Sequence, residues 1–177
     1  YTTLFRSDYI VAGYDDEQLS LFSRSSSTPL WSYQANDKFF GVEFSADGKY
    51  IVGGTYDGDI ILFGLDSNTP IWTYDVGTNV YVWRAVISPD GEYIVTGDES
   101  GRWAIWNMQG QKQGSYIEYG EGLLDCKFSP DGLDIVLLGE DGTITSRTFD
   151  GLEKHVTDVP GAKEILFSYS GTRMHVS

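Results

Sequence analysis

A pentapeptide and its variants recur along the whole chain at nearly constant spacing: YIVAG at 9–13, YIVGG at 50–54, YIVTG at 93–97 and the related DIVLLG at 134–139. Their isoleucines, Ile10, Ile51, Ile94 and Ile135, stand 41, 43 and 41 residues apart. A second anchor runs ahead of the later copies, as FSADG at 44–48, ISPDG at 87–91 and FSPDG at 128–132, and returns as FSYSG at 167–171. Self-similarity at this period marks an array of supersecondary units that cannot bury their apolar faces alone and must stack.

One unit, residues 39–75, shows what each repeat contains. FFGVEFS (39–45) alternates and ends at the turn Ala46-Asp47-Gly48. Its Ser-Pro-Asp-Gly versions at 88–91 and 129–132 combine a proline that presets φ with a glycine that supplies φ > 0. YIVGG (50–54) is a β-branched strand, closed by the turn Tyr56-Asp57-Gly58. DIILFG (59–64) and PIWTYD (70–75) complete four short strands, with Pro70 first in its strand, where a missing N–H is tolerated. Strand three recurs as QLSLFS (18–23), RWAIWN (102–107) and TITSRTF (143–149). Strand four recurs as PLWSYQ (29–34), KQGSYI (112–117) and LEKHVT (152–157). No helical apolar stripe of useful length interrupts them, so the chain reads as all-β, a series of antiparallel meanders.

A four-stranded meander at this period is the sign of a β-propeller blade. The FSPDG–YIV–DG–LF cadence resembles WD-repeat and YVTN-type propellers of a divergent, prokaryotic kind, and the TPLWSY and TPIWTY strands are similar to the outer tryptophan strand of quinoprotein-like propellers. The Gly-His dipeptide of strict WD repeats is absent, and Phe63-Gly64, Trp106-Asn107 and Phe149-Asp150 stand in place of Trp-Asp. The repeats make one propeller segment over 1–177, with blades near 1–36, 37–77, 78–119, 120–159 and a partial blade at 160–177. Rings of seven or eight such blades need about 290–340 residues. The expectation is therefore a part of a larger ring, with self-association through open blade edges as the alternative.

The 177 residues carry 26 acidic and 12 basic side chains, a net charge of −14. That field repels phosphate backbones and argues against nucleic acid as a partner. No apolar run is long enough to span a membrane as a helix, and no signal peptide is visible. Cys126 is the single cysteine, and within LLDCKF it reads as a small buried hydrophobe. His155 and His175 are the only histidines, and neither joins a nucleophile or zinc motif. No catalytic set, metal site or cofactor is expected.

Two sets of residues are candidates for binding. The first strand of each propeller blade lines the central channel. Three residues before Phe44, Ile87, Phe128 and Phe167 stand Gly41, Arg84, Asp125 and Glu164, with Trp83 beside Arg84. A cation between carboxylates beside an indole suits a small polar ligand or a peptide side chain at the channel mouth; the competing reading is an ion-pair network that holds blades in register. The turns after strand two carry Asp57, Asp98, Glu99 and Asp141, an acidic face suited to a basic partner or Ca²⁺, though no segment has the ligand spacing of a calcium loop and Asp-Gly is also ordinary turn chemistry. Trp31, Tyr33, Trp72 and Tyr74 read as inter-blade packing, Trp106 as core, and Trp103 as reaching an outer surface. The resemblance implies a non-enzymatic scaffold for a protein or peptide partner. The rival expectations are a small-molecule or metal-binding propeller with its site at the channel mouth, and a structural module of a larger surface or assembly protein.

Overall fold

The computed structural model describes residues 2–6, 8–77, 80–117, 122–168 and 174–177. Its strands form four-stranded antiparallel sheets in sequence order. The first holds β1 (Thr2–Arg6), β2 (Tyr9–Gly13), β3 (Gln18–Ser23) and β4 (Pro29–Gln34). The second holds β5 (Phe39–Phe44), β6 (Tyr50–Thr55), β7 (Asp59–Gly64) and β8 (Pro70–Asp75). The third is built from β9 (Val82–Ile87), β10 (Tyr93–Asp98), β11 (Arg102–Asn107) and β12 (Lys112–Ile117). The fourth is built from β13 (Leu123–Phe128), β14 (Ile135–Gly139), β15 (Thr143–Arg147) and β16 (Glu153–Asp158). A two-stranded sheet follows, β17 (Ile165–Phe167) with β18 (Met174–Val176). These sheets are the blades of a propeller-like, all-β fold. The first strands β1, β5, β9, β13 and β17 lie side by side from blade to blade.

The turns between first and second strands show how little sequence a repeat needs. In blade two Ser45 Oγ donates to Asp47 Oδ1 at 2.7 Å and accepts from Tyr50 N at 3.0 Å, while Gly48, at φ 75°, closes the turn on Ser45 O. Ser88, Asp90 and Gly91 repeat the network in blade three, and Ser129, Asp131 and Gly132 in blade four. Serine and aspartate thus satisfy backbone donors that a tight turn would leave open. The fourth anchor, at 167–171, lies partly outside the described residues.

The cores sit between blades. Leu19, Leu21, Phe39, Val42, Ile51 and Phe63 pack blade one on blade two. Val52, Ile60, Leu62, Val82, Ile94 and Trp106 join blade two to three, and Trp103, Ile105, Leu123, Cys126, Ile135 and Leu137 take part in joining three to four. Trp103 is therefore not on an outer surface; it is 1% exposed. Residues 103 and 106 point to opposite faces of β11, and both faces are covered by a neighbouring blade.

Outer ties reinforce these cores. Trp31 Nε1 donates to Leu65 O at 2.7 Å in the next blade, and Trp72 Nε1 donates to Met108 O at 3.0 Å. Tyr33 and Tyr74 set their rings against Phe63 and Trp106, at 5.0 and 4.4 Å between centroids. In blade three the tryptophan position falls on Gly114, which pairs with Ile105 as Trp72 pairs with Leu62. A side chain there would strike Tyr116, whose hydroxyl would lie 2.8 Å from the new Cβ. Tyr116 fills that space and donates to Phe149 O at 3.3 Å, replacing the missing indole. The register also corrects one alignment. Arg147, not Phe149, pairs with Ile135 as Phe63 pairs with Ile51, and Phe149 lies beyond the strand in the place of Leu65 and Met108.

Candidate functional site

The antiparallel register decides which loops share a face. Phe39, near the start of its strand, lies opposite Thr55 at the end of β6. Loops entering first strands therefore meet the turns between strands two and three, opposite the Ser-x-Asp-Gly turns.

Along the row of first strands, Arg84 Nε donates to Asp125 Oδ1 at 3.0 Å, and Asp125 Oδ2 accepts the Ile165 N–H at 2.8 Å. Asp125 is 0% exposed and spans three blades with its two oxygens. Gly41 belongs to the same row. A Cβ there would meet Trp83 O at 2.9 Å and Arg84 Cδ at 3.5 Å, so the glycine gives the next blade's backbone and arginine room to pack. Among the described residues no hydrogen bond or ion pair joins the half-buried Glu164 side chain to Arg84 or Asp125. Its backbone pairs instead with Ser177.

Glu43 shares this strand region and lines a cleft of about 240 Å³ with Phe44, Val86, Ile87, Lys127 and Phe128. Burial pushes its carboxyl up to about 7, against the pull of Lys127 and Arg84. The Cys126 thiol is fully buried and its pKa is raised, first by desolvation, so little nucleophilic thiolate forms.

The four acidic turn residues do different jobs. Asp98 is buried, and its Oδ1 accepts from Ser100 N, Ser100 Oγ and Arg102 N at 2.9, 2.6 and 3.0 Å. Asp141 closes its turn on Thr143 through both the backbone N–H, at 2.7 Å, and the hydroxyl, at 2.8 Å. These bonds hold its carboxyl below the usual range. Asp57 is half-buried beside Gly58, whose φ of 92° and contact with Gly77 O leave no space for a side chain. Glu99 receives the Tyr81 N–H on Oε1 at 3.3 Å and gives its own N–H to Tyr81 O at 3.0 Å. Among the described residues no three acids, cysteines or histidines gather as metal ligands do.

Between blades two and three the same face carries an aromatic cluster. Tyr56 and Tyr81 stack at 3.7 Å, Phe40 lies 4.3 Å from Trp83 and 5.3 Å from Tyr56, and Tyr81 meets Trp83 edge-on at 6.2 Å. The Lys38 ammonium rests over Tyr56 at 4.6 Å and over Phe40 at 5.7 Å. All five side chains are half-buried. A hydrogen bond to Tyr56, with burial and the nearby Glu99 and Asp37 charges, pushes the Tyr81 phenol up to about 12. Sequence reading found Trp83 and Glu99 but not Phe40, Tyr56 or Tyr81. The available signal was the ring at Tyr56 just before the Asp-Gly turn, and Tyr81 alternating with Trp83.

The family model for the WD domain, G-beta repeat, matches residues 27–63 and 68–107. The matched repeats and the four-stranded sheets fit a WD-repeat, β-propeller-like fold. Each matched WD repeat runs from the outer strand of one blade through the first three strands of the next, β4–β7 and β8–β11. A single repeat therefore spans two sheets and ties them covalently. WD repeats generally mediate protein–protein interaction, and domains built from them are typically non-enzymatic. No curated protein matches the chain. Among the described residues no helix is long and apolar enough to cross a membrane.

Proposed function

We propose that this chain is a non-enzymatic scaffold that binds a basic protein or peptide through the face made by its strand-two-to-three turns and the loops entering its first strands. The observation that carries the reading is the meeting on that face of Asp37, Asp57 and Glu99 with the half-buried rings of Phe40, Tyr56, Tyr81 and Trp83. Aromatic anchors ringed by charge suit a protein interface, and the −14 net charge favours a cationic partner. Arg84 and Asp125 then serve as ties beneath the face, because Arg84 Nε and both Asp125 carboxylate oxygens already engage one another and the Ile165 N–H. Asp98 and Asp141 shape turns. Glu164 lies further along the same row.

Fluorescence anisotropy with labelled basic, neutral and acidic peptides tests this. Saturable binding of the basic peptides, lost in an Asp57→Lys/Glu99→Lys double variant, is the expected result. Equal binding of all three classes, or no effect of charge reversal, would overturn it. An enzymatic channel-mouth site would instead show itself as substrate turnover abolished by Arg84→Ala.

A further inference from the structure

We infer that Phe40, Tyr56, Tyr81 and Trp83 form a receptor for a lysine side chain of the partner, and that Lys38 of the chain itself fills this place in the free protein. The inference rests on the binding-face reading above and names the chemistry of its occupant. Four rings from two blades converge here: Phe40 and Tyr56 from blade two, Tyr81 and Trp83 from blade three. In blade four the matching positions are Gly122, Leu124 and Glu140, so the repeat by itself does not require rings there.

Ring faces are electron-rich and attract an ammonium group. Lys38 shows that the geometry accepts one, since its Nζ sits over two of the rings. Its backbone is fixed, because Lys38 O accepts the Tyr56 N–H at 3.0 Å. Its ammonium, by contrast, makes no ion pair with a carboxylate among the described residues, so it is held by ring faces and can swing away at low cost. Asp37 and Glu99 act electrostatically on Tyr81, and a second cation entering the cluster would meet that same negative field. The Trp83 indole N–H, shielded from solvent, has no acceptor among the described residues.

The test is a titration at low ionic strength with a lysine-rich peptide, against the same peptide with norleucine at each lysine. Far-ultraviolet circular dichroism checks the fold of each variant. Tyr56→Leu and Trp83→Leu should each weaken lysine-peptide binding roughly three- to tenfold. Lys38→Met should tighten it, by removing the competing ammonium. If both ring variants bind like the parent while Asp57→Lys/Glu99→Lys loses binding, the acidic face stands and the lysine receptor falls. Weaker binding by Lys38→Met would overturn the displacement. If the parent binds no lysine peptide, the lysine receptor falls, and binding of an arginine-rich peptide, lost in Asp57→Lys/Glu99→Lys, decides whether the acidic face stands.

Discussion

Asp125 concentrates more inter-blade order than any neighbour in its row, because one buried carboxylate holds Arg84 on one side and the Ile165 N–H on the other. Removing it leaves a guanidinium and a buried donor unpaired. Asp125→Ala should therefore cost about 3–5 kcal/mol in urea unfolding, and a loss under about 1 kcal/mol would show that the tie is dispensable. Glu43 makes the opposite demand. Burial raises its carboxyl from 4.5 to about 7, so between those values the folded chain holds a proton that the unfolded chain has released. Its contribution to stability is complete below about pH 4.5 and is lost as pH rises through about 7. Glu43→Gln removes this dependence, so the variant should gain on the parent as pH rises over that range, measured as the difference in urea midpoint. Asp90 and Asp131 carry the reverse sign. Their serine partners lower their pKa values, and their stabilisation fades only as acid protonates them.

At the scale of the element, strand four shows that position and function can separate. Trp31 and Trp72 each tie an outer strand to the next blade through an indole N–H. Blade three keeps the tie and loses the tryptophan, because Gly114 opens the space that Tyr116 enters to reach Phe149 O. Tyr116→Phe keeps the ring stacked on Trp103, at 4.3 Å, and removes only the hydroxyl. It should cost about 0.5–1.5 kcal/mol, measured by thermal or urea unfolding. An unchanged transition would show that stacking alone holds this edge. The loose KQGSYI version of strand four belongs in the sheet for this reason: its tyrosine answers to the geometry of the tie.

Across the whole molecule, each blade buries its apolar surface against its neighbours, so stability accumulates from interface to interface as in other repeat arrays. A net charge of −14 works against every one of those interfaces. Raising salt from about 0.01 M to about 0.15 M shortens the Debye length from about 30 to about 8 Å. The thermal midpoint should rise over that range; a fall would mean that attractive pairs such as Lys154–Asp134, at 2.6 Å, outweigh the repulsion. By itself the sequence determined the repeat, the four strands of each unit and the turns that join them, since alternation, β-branching and Ser-x-Asp-Gly chemistry act between near neighbours. It also marked Arg84 and Asp125 as equivalent positions on successive first strands. Only the tertiary structure decided that Arg147 rather than Phe149 completes the register, that Trp103 is buried, and that Lys38, Phe40, Tyr56, Tyr81 and Trp83 meet on one face. Those facts depend on how one blade lies against the next, and that packing is set by distant side chains competing for the same space.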